Sequence, residues 1–284
     1  MDLLESLVRS EALRIAPPGQ VFWYTSGTVG PYYLNTHFLF GGPERAGELL
    51  AFIDAESRSA DFHARLQERV STQLASDPGY AGVIDALAAS IRGREPGGGV
   101  DWVSGGERRD WFFSTGAALR TGLPHLYLYK DGGALMAEGN LLAPVEDLRG
   151  RRAAHVADLV TEASSYTRAW IPALRGRGGD MAVSANVVDR GQGGMAVIAA
   201  CGVDAEACLR VDGAMFAELH RRGLISAAQH AVLADYLGDP GGAMRRFLLE
   251  NPAFLQDALG SKDERTAQRA RMLVEKDPYG LREG

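Results

Sequence analysis

Cysteine is scarce: the 284 residues include two, Cys201 and Cys208, close together and without histidine or further cysteine at ligand spacing. That argues against a disulfide framework or a structural zinc site and suits a reducing compartment, so the cytoplasm is the expected location. No apolar run approaches the length of a membrane span. The opening residues, Met1-Asp-Leu-Leu-Glu-Ser, carry acids where a signal peptide would carry a basic region. The six histidines show no metal-motif spacing, so no protein-held metal is expected. His125 and His155 fall within strand-like runs and read as core residues. There is neither a P-loop nor a dinucleotide glycine motif after a strand. The net charge of −6 argues against broad nucleic-acid binding. Neither a membrane nor a nucleic acid is therefore expected as a partner.

What is present is an ordinary folded composition, 46% hydrophobic and 23% charged, with strand and helix patterns in alternation. Apolar spacing predicts helices over 2–15, 44–53, 61–76, 79–92, 112–121 and 195–201. Short apolar runs predict strands over 100–103, 125–130, 153–157, 181–189 and 207–211. From Asp212 onward the spacing is helical, with breaks at Asp239-Pro-Gly-Gly242 and Asn251-Pro252, and Ser261-Lys-Asp-Glu264 reads as a capping box for a last helix. Glu95-Pro-Gly-Gly-Gly99 reads as a turn. The alternation implies an α/β fold, a parallel sheet flanked by helices.

The stretch from Ala153 to Trp170 is the most informative. A buried strand passes through Asp158 into a loop of small and hydroxylated residues, Thr161, Glu162, Ala163, Ser164 and Ser165, and then into a helix. The first amides of a helix have no internal partner, and its dipole favours negative charge, so this is an anion site. The competing reading is a helix capped by Ser164 or Ser165 with no ligand. A second anion candidate follows the strand at 100–103, where Gly105 and Gly106 permit close backbone approach and Arg108 and Arg109 supply forked donors. Glu107 and Asp110 offer those arginines an alternative ion-pair cluster. Arg190 lies at the C-terminal end of the strand 181–189, the edge where open α/β sheets bind ligands, unless it pairs with Asp189 at the surface.

These segments, in this order, resemble those of orotate phosphoribosyltransferases within the type I phosphoribosyltransferase family. Ser26-Gly-Thr-Val-Gly-Pro-Tyr-Tyr33 is similar to the family's N-terminal Ser-Gly-Lys-x-Ser-Pro-Tyr-Tyr. Ala137-Glu-Gly139 is similar to the Glu-Gly before the signature strand, and Asp158 to Ser165 to the signature loop. Val188-Asp-Arg-Gly-Gln-Gly-Gly194 resembles Val-Asp-Arg-x-x-Gly-Gly. The resemblance implies phosphoribosyl pyrophosphate (PRPP) and a nucleobase, or a nucleotide, as ligands, with Mg²⁺ arriving through PRPP. It implies that Asp158 holds the ribose and that Thr161 to Ser165 hold the 5′-phosphate. Gly105, Gly106, Arg108, Arg109 and Lys130 would meet pyrophosphate. Ser26, Tyr32, Tyr33 and Arg190 would face the base. Asp158 and Lys130 are the residues it implies for catalysis, and a homodimer is the implied assembly.

The chain also departs from that pattern. Thr28 occupies the position of a cation. Only seven residues separate Lys130 from Glu138, so the mobile loop that carries further cations in the family is truncated. The first acid of the signature pair is replaced by Ala157. Glu162 sits where a small hydroxyl residue is usual, and a carboxylate about 5 Å from a phosphate is repelled by a few kcal/mol. Glu162 therefore either turns away or reaches the ribose in place of the missing acid. Two helical segments within about 54–99 read as an insertion. The expected division is an α/β domain over 1–213, including that insertion, and a helical extension over 214–284. Besides a transferase acting on a pyrimidine-like base, the departures leave open a non-catalytic PRPP or nucleotide binder and a transferase for another base.

Overall fold

A computed structural model describes residues 2–93, 99–138 and 141–283. The turn expected around 95–99 and Gly139 of the Glu-Gly motif lie largely outside the described residues. The chain divides into two compact units: residues up to Ala12 with Asn35–Val211, and Leu13–Leu34 with the residues from Asp212 on. The expected boundary near 213 is thus corrected in one respect. The segment 13–34, read as part of the α/β domain, belongs with the C-terminal helices, because its apolar side chains are buried there.

The first unit is built on a seven-stranded sheet. Its strands are β1 (Trp102–Gly106), β2 (His125–Leu128), β3 (Ala134–Glu138), β4 (Leu141–Pro144), β5 (Arg152–Val160), β6 (Asp180–Asp189) and β7 (Asp204–Arg210). The spatial order is β7-β6-β5-β1-β2-β3-β4. The pairs from β7 to β2 are parallel, whereas β2/β3 and β3/β4 are antiparallel. The expected all-parallel sheet is therefore a mixed one. The short connection after Lys130 is the reason: a parallel crossover needs a dozen or more residues, and a tight turn permits only a hairpin. That turn is closed by bonds from Tyr129 N–H to Gly133 O and from Gly132 N–H to Tyr129 O.

Central strands are buried on both faces. In β6 every residue after Asp180 is buried, and in β5 Ala153 through Asp158 are, the near-continuous apolar pattern of strands covered by helices. The helix Trp111–Thr121 follows β1 and buries its first eight residues. The insertion helices Phe62–Ser76 and Pro78–Gly93 are part of this core. Phe62 lies 5.7 Å from Trp111 and 5.5 Å from Tyr127, ring centre to ring centre, and Tyr80 Oη donates to the carbonyl of Phe112.

The expected first helix, 2–15, ends early: it spans Leu3–Arg9, Glu11 takes φ +58°, and Leu13–Ile15 is a strand paired with Tyr32–Leu34. That ladder and a second, Phe22–Trp23 with Val29–Gly30, join the helices Gly213–Arg221, Ala227–Gly238, Pro240–Glu250, Pro252–Leu259 and Glu264–Lys276 in the second unit. Its core gathers Val29, Ala243, Met244, Leu248 and Leu273. Asn251-Pro252 splits the helix pattern of 244–258, as proline requires. The last helix is capped by Asp263, whose carboxylate accepts from Arg265 and Thr266 N–H, rather than by Ser261. Among the described residues no helix is long and apolar enough to cross a membrane.

Candidate functional site

Strands β1 and β5 pair only from Trp102↔Ala153 to Ser104↔His155. Beyond that point β1 stays with β2, and β5 stays with β6 out to Val160↔Asp189. The two halves of the sheet diverge here, which is where an open α/β sheet leaves a crevice at its C-terminal edge. A cavity of about 320 Å³ occupies this crevice. Its lining includes Glu107, Arg108, Arg109, Asp110, Lys130, Asp158, Thr161, Ala163, Ser164, Ser165, Tyr166 and Trp170. Residues predicted separately from two loops and a strand end are thus brought to one place.

The loop after β5 is shaped as a cradle. Ala163 has φ +57°, left-handed backbone that an alanine rarely adopts. Among the described residues, no hydrogen bond uses the backbone N–H of any residue from Thr161 to Ser165. The loop is supported from below by Gly194, whose N–H donates to Thr161 O at 2.9 Å. The following helix does start at Ser164, but neither serine caps it through its side chain. A π-helical turn over Tyr166–Trp170 leads into the short helix Ile171–Arg175, with Pro172 in its first turn. Tyr166 Oη ties the turn to β6 through Ser184 Oγ at 2.8 Å and Asn186 Oδ1 at 2.6 Å.

The floor of the cavity is acidic and buried. Asp158 and Asp110 are each 8% exposed. Asp158 Oδ2 accepts from Thr36 Oγ1 at 2.6 Å, and Asp158 N–H donates to Asp110 Oδ1 at 3.0 Å. Burial and the neighbouring Asp158 push Asp110 well above the usual carboxyl range. Burial also raises Asp158, with Thr36 and Arg109 opposing. His155, wholly buried, is lowered to about 3 by loss of solvent, and His37 to about 4 by burial with Arg109 and Arg108 nearby. Both are neutral imidazoles at neutral pH. The rim is cationic: Arg109 and Lys130 are exposed, and Arg108 pairs with Asp54. Glu107 Oε2 accepts from the Lys130 N–H at 3.0 Å, which fixes the turn carrying that lysine.

Several expectations take a different form. Asp110, read as an ion-pair partner for the arginines, faces inward instead. Glu162 is exposed and outside the cavity lining. Gly105 and Gly106 are buried strand residues outside the lining. Their lack of a side chain serves packing, since a Cβ would lie 2.2 Å from Ser114 Oγ at 105 and 2.3 Å from the Trp170 ring at 106. Asp189 pairs with Arg210. Arg190 sits beside the cradle strand, its N–H donating to Val160 O at 2.8 Å, but does not line the cavity. Tyr32 is a core residue of the second unit, 5.5 Å from Phe216 and 5.9 Å from Tyr236. Tyr33 packs on Phe22 and Tyr24, and Ser26 bonds Thr28. Thr36, Asp110, Tyr166 and Gly194 went unread as site residues. An acid four residues beyond a strand-end glycine was the one available signal, for Asp110.

No protein-family model matches the chain, nor does any curated protein sequence. Solved structures do. The UMP synthase of Leishmania donovani superposes with a TM-score of 0.54 at 18% identity, over 83% of this chain and 41% of that one. The chain thus corresponds to less than half of that protein. The orotate phosphoribosyltransferase of Aeropyrum pernix superposes with a TM-score of 0.50 at 19% identity, over 79% of this chain and 99% of that one. The chain has a divergent form of the type I phosphoribosyltransferase fold.

Proposed function

We propose that the protein is a phosphoribosyltransferase that moves the phosphoribosyl group of PRPP to a pyrimidine-like base. The observation that carries this reading is the cradle: the backbone N–H groups of Thr161, Ala163, Ser164 and Ser165 bond no acceptor among the described residues, and these residues line a cavity rimmed by arginine and lysine. Such an array suits a phosphate monoester. Asp158, on the floor, suits ribose hydroxyls. Arg109, Arg108 and Lys130 suit the pyrophosphate. The base nitrogen forms a bond to the anomeric carbon as that carbon's bond to the pyrophosphate oxygen breaks. The leaving pyrophosphate takes the electron pair and the base releases a proton. Rate enhancement comes from positioning and from neutralising the leaving group. PRPP would bind as its Mg²⁺ complex, the ion arriving with the substrate and helping to neutralise the diphosphate. Arg190 is assigned to the base side from the resemblance.

The test is pyrophosphate release from PRPP with Mg²⁺ and a panel of bases headed by orotate. Turnover that is lost in Asp158→Asn supports the reading. Absence of affinity for any ribose phosphate overturns it. A second reading, a PRPP or nucleotide sensor, draws support from the tight Tyr129–Gly133 turn, which leaves Lys130 on a short hairpin rather than on a long closing loop. Binding of PRPP without turnover on any base of the panel would favour it.

A further inference from the structure

We propose that Asp110 is a positioning residue for Asp158, the two carboxyl groups acting as one couple that fixes how Asp158 faces the bound sugar. The role of the sugar rests on the phosphoribosyl reading; the couple itself does not.

The geometry begins with the divergence of β1 and β5. Past Ser104↔His155 the ladder ends, and the N–H groups of Gly106 and Asp158 no longer meet a strand partner across the gap. Asp110 serves both: its Oδ2 accepts from Gly106 N–H at 3.1 Å and its Oδ1 from Asp158 N–H at 3.0 Å. One side chain thus replaces the missing rung and locks the backbone from which Asp158 projects. Thr36 Oγ1 holds Asp158 Oδ2 from the other side. Asp158 is therefore held by two elements before any ligand arrives, its backbone by Asp110 and its carboxylate by Thr36.

Both carboxyl groups are buried and line the cavity, the Asp110 carboxylate bonded to the Asp158 backbone. Two full negative charges at this depth are unfavourable, which favours a proton on one member of the pair. The charged and titratable groups around the couple are few. Arg109 stands on the same loop as Asp110, with Arg108 beside it. His155 Nε2 lies 3.9 Å from Asp110 Oδ2, and Tyr166 packs 5.1 Å from that ring. His37 adjoins Thr36 and is neutral. Holding a single charge on the floor leaves the cationic rim free to attract an anionic sugar. Loss of that proton at high pH would set a second charge against the phosphates.

Two measurements on the full chain test this. The first is a carboxyl ¹³C titration of the aspartate-labelled, ligand-free protein. Asp110 and Asp158 should titrate as an interacting pair, and in Asp110→Asn the Asp158 signal should follow a single, displaced curve. Independent titration of the two in the wild type overturns the proposal, with no variant needed. The second is calorimetric titration with Mg²⁺ and PRPP from neutral to alkaline pH. Wild-type affinity should fall as pH rises. Asp110→Asn, whose amide accepts only one of the two N–H groups, should bind about tenfold more weakly at neutral pH and lose the alkaline decline. A variant that keeps the wild-type pH profile and differs only in melting temperature makes Asp110 a purely structural strut and overturns the proposal. If the pair titrates as coupled but PRPP does not bind the wild type, the couple stands and the phosphoribosyl reading falls.

Discussion

The backbone N–H of Gly194 supports the carbonyl of Thr161 at 2.9 Å, and a Cβ at 194 would lie 2.4 Å from that oxygen and 2.6 Å from Val160 Cγ1. The cradle loop therefore rests on bare backbone. Gly194→Ala should push the loop out of shape, destabilising the protein by about 1–3 kcal/mol and weakening PRPP binding more than tenfold. Thermal melts and calorimetry on the same samples separate the two effects.

Ala163 carries the opposite expectation. Its left-handed backbone costs an L-residue about 1–2 kcal/mol. Ala163→Gly should be stabilising by up to about 1 kcal/mol, after the greater chain entropy of glycine is deducted, with PRPP affinity retained. Urea unfolding measures the first and calorimetry the second. A loss of stability would mean that the methyl group, which is buried, contributes more packing than its backbone costs.

The buried histidines set an acid limit. His155 titrates near 3 in the fold and His37 near 4, both below their unfolded value of about 6.5. Between those values and about 6.5 the unfolded chain binds protons that the folded chain does not, so stability falls as pH falls. The slope is about 1.4 kcal/mol per pH unit for each such group. His155→Gln should flatten the decline in unfolding free energy between pH 6 and 4 relative to wild type, whatever it does at pH 7. An unchanged slope would show that His155 protonates within the fold.

Arg109 and Tyr32 separate affinity from stability. Arg109 is exposed at the cavity rim, so Arg109→Gln should lower PRPP affinity severalfold, with a shallower salt dependence, and leave the melting temperature within about a degree. Tyr32 is packed in the second unit, so Tyr32→Ala should destabilise by about 3–5 kcal/mol, which chemical denaturation measures.

The parts of this architecture that depend on local pattern were legible in the sequence. The buried runs of β5 and β6, the helices 61–76 and 79–92 and the loop after Asp158 follow from apolar spacing and from small residues in a row. The antiparallel edge is not legible there, because Ala134 to Pro144 carries no clear period. Asp110 and Thr36 were out of reach for another reason. Their roles depend on where β1 and β5 part, a relation between segments more than 40 residues apart in sequence. Tyr32 illustrates the converse: a motif resemblance suggested a ligand, whereas burial beside Phe216 is decided by a helix some 180 residues away.

Tyr279 Oη donates to Val29 O and accepts from Val29 N–H, at 3.1 and 3.0 Å, across 250 residues of chain. The second unit is consequently closed by its two extremes. As the polypeptide leaves the ribosome, Val29 must wait for 250 further residues before Tyr279 exists to close on it. Until then Phe22, Trp23 and Tyr32 are left to water or to a chaperone, and any truncation near Tyr279 strands the N-terminal ladders along with the tail.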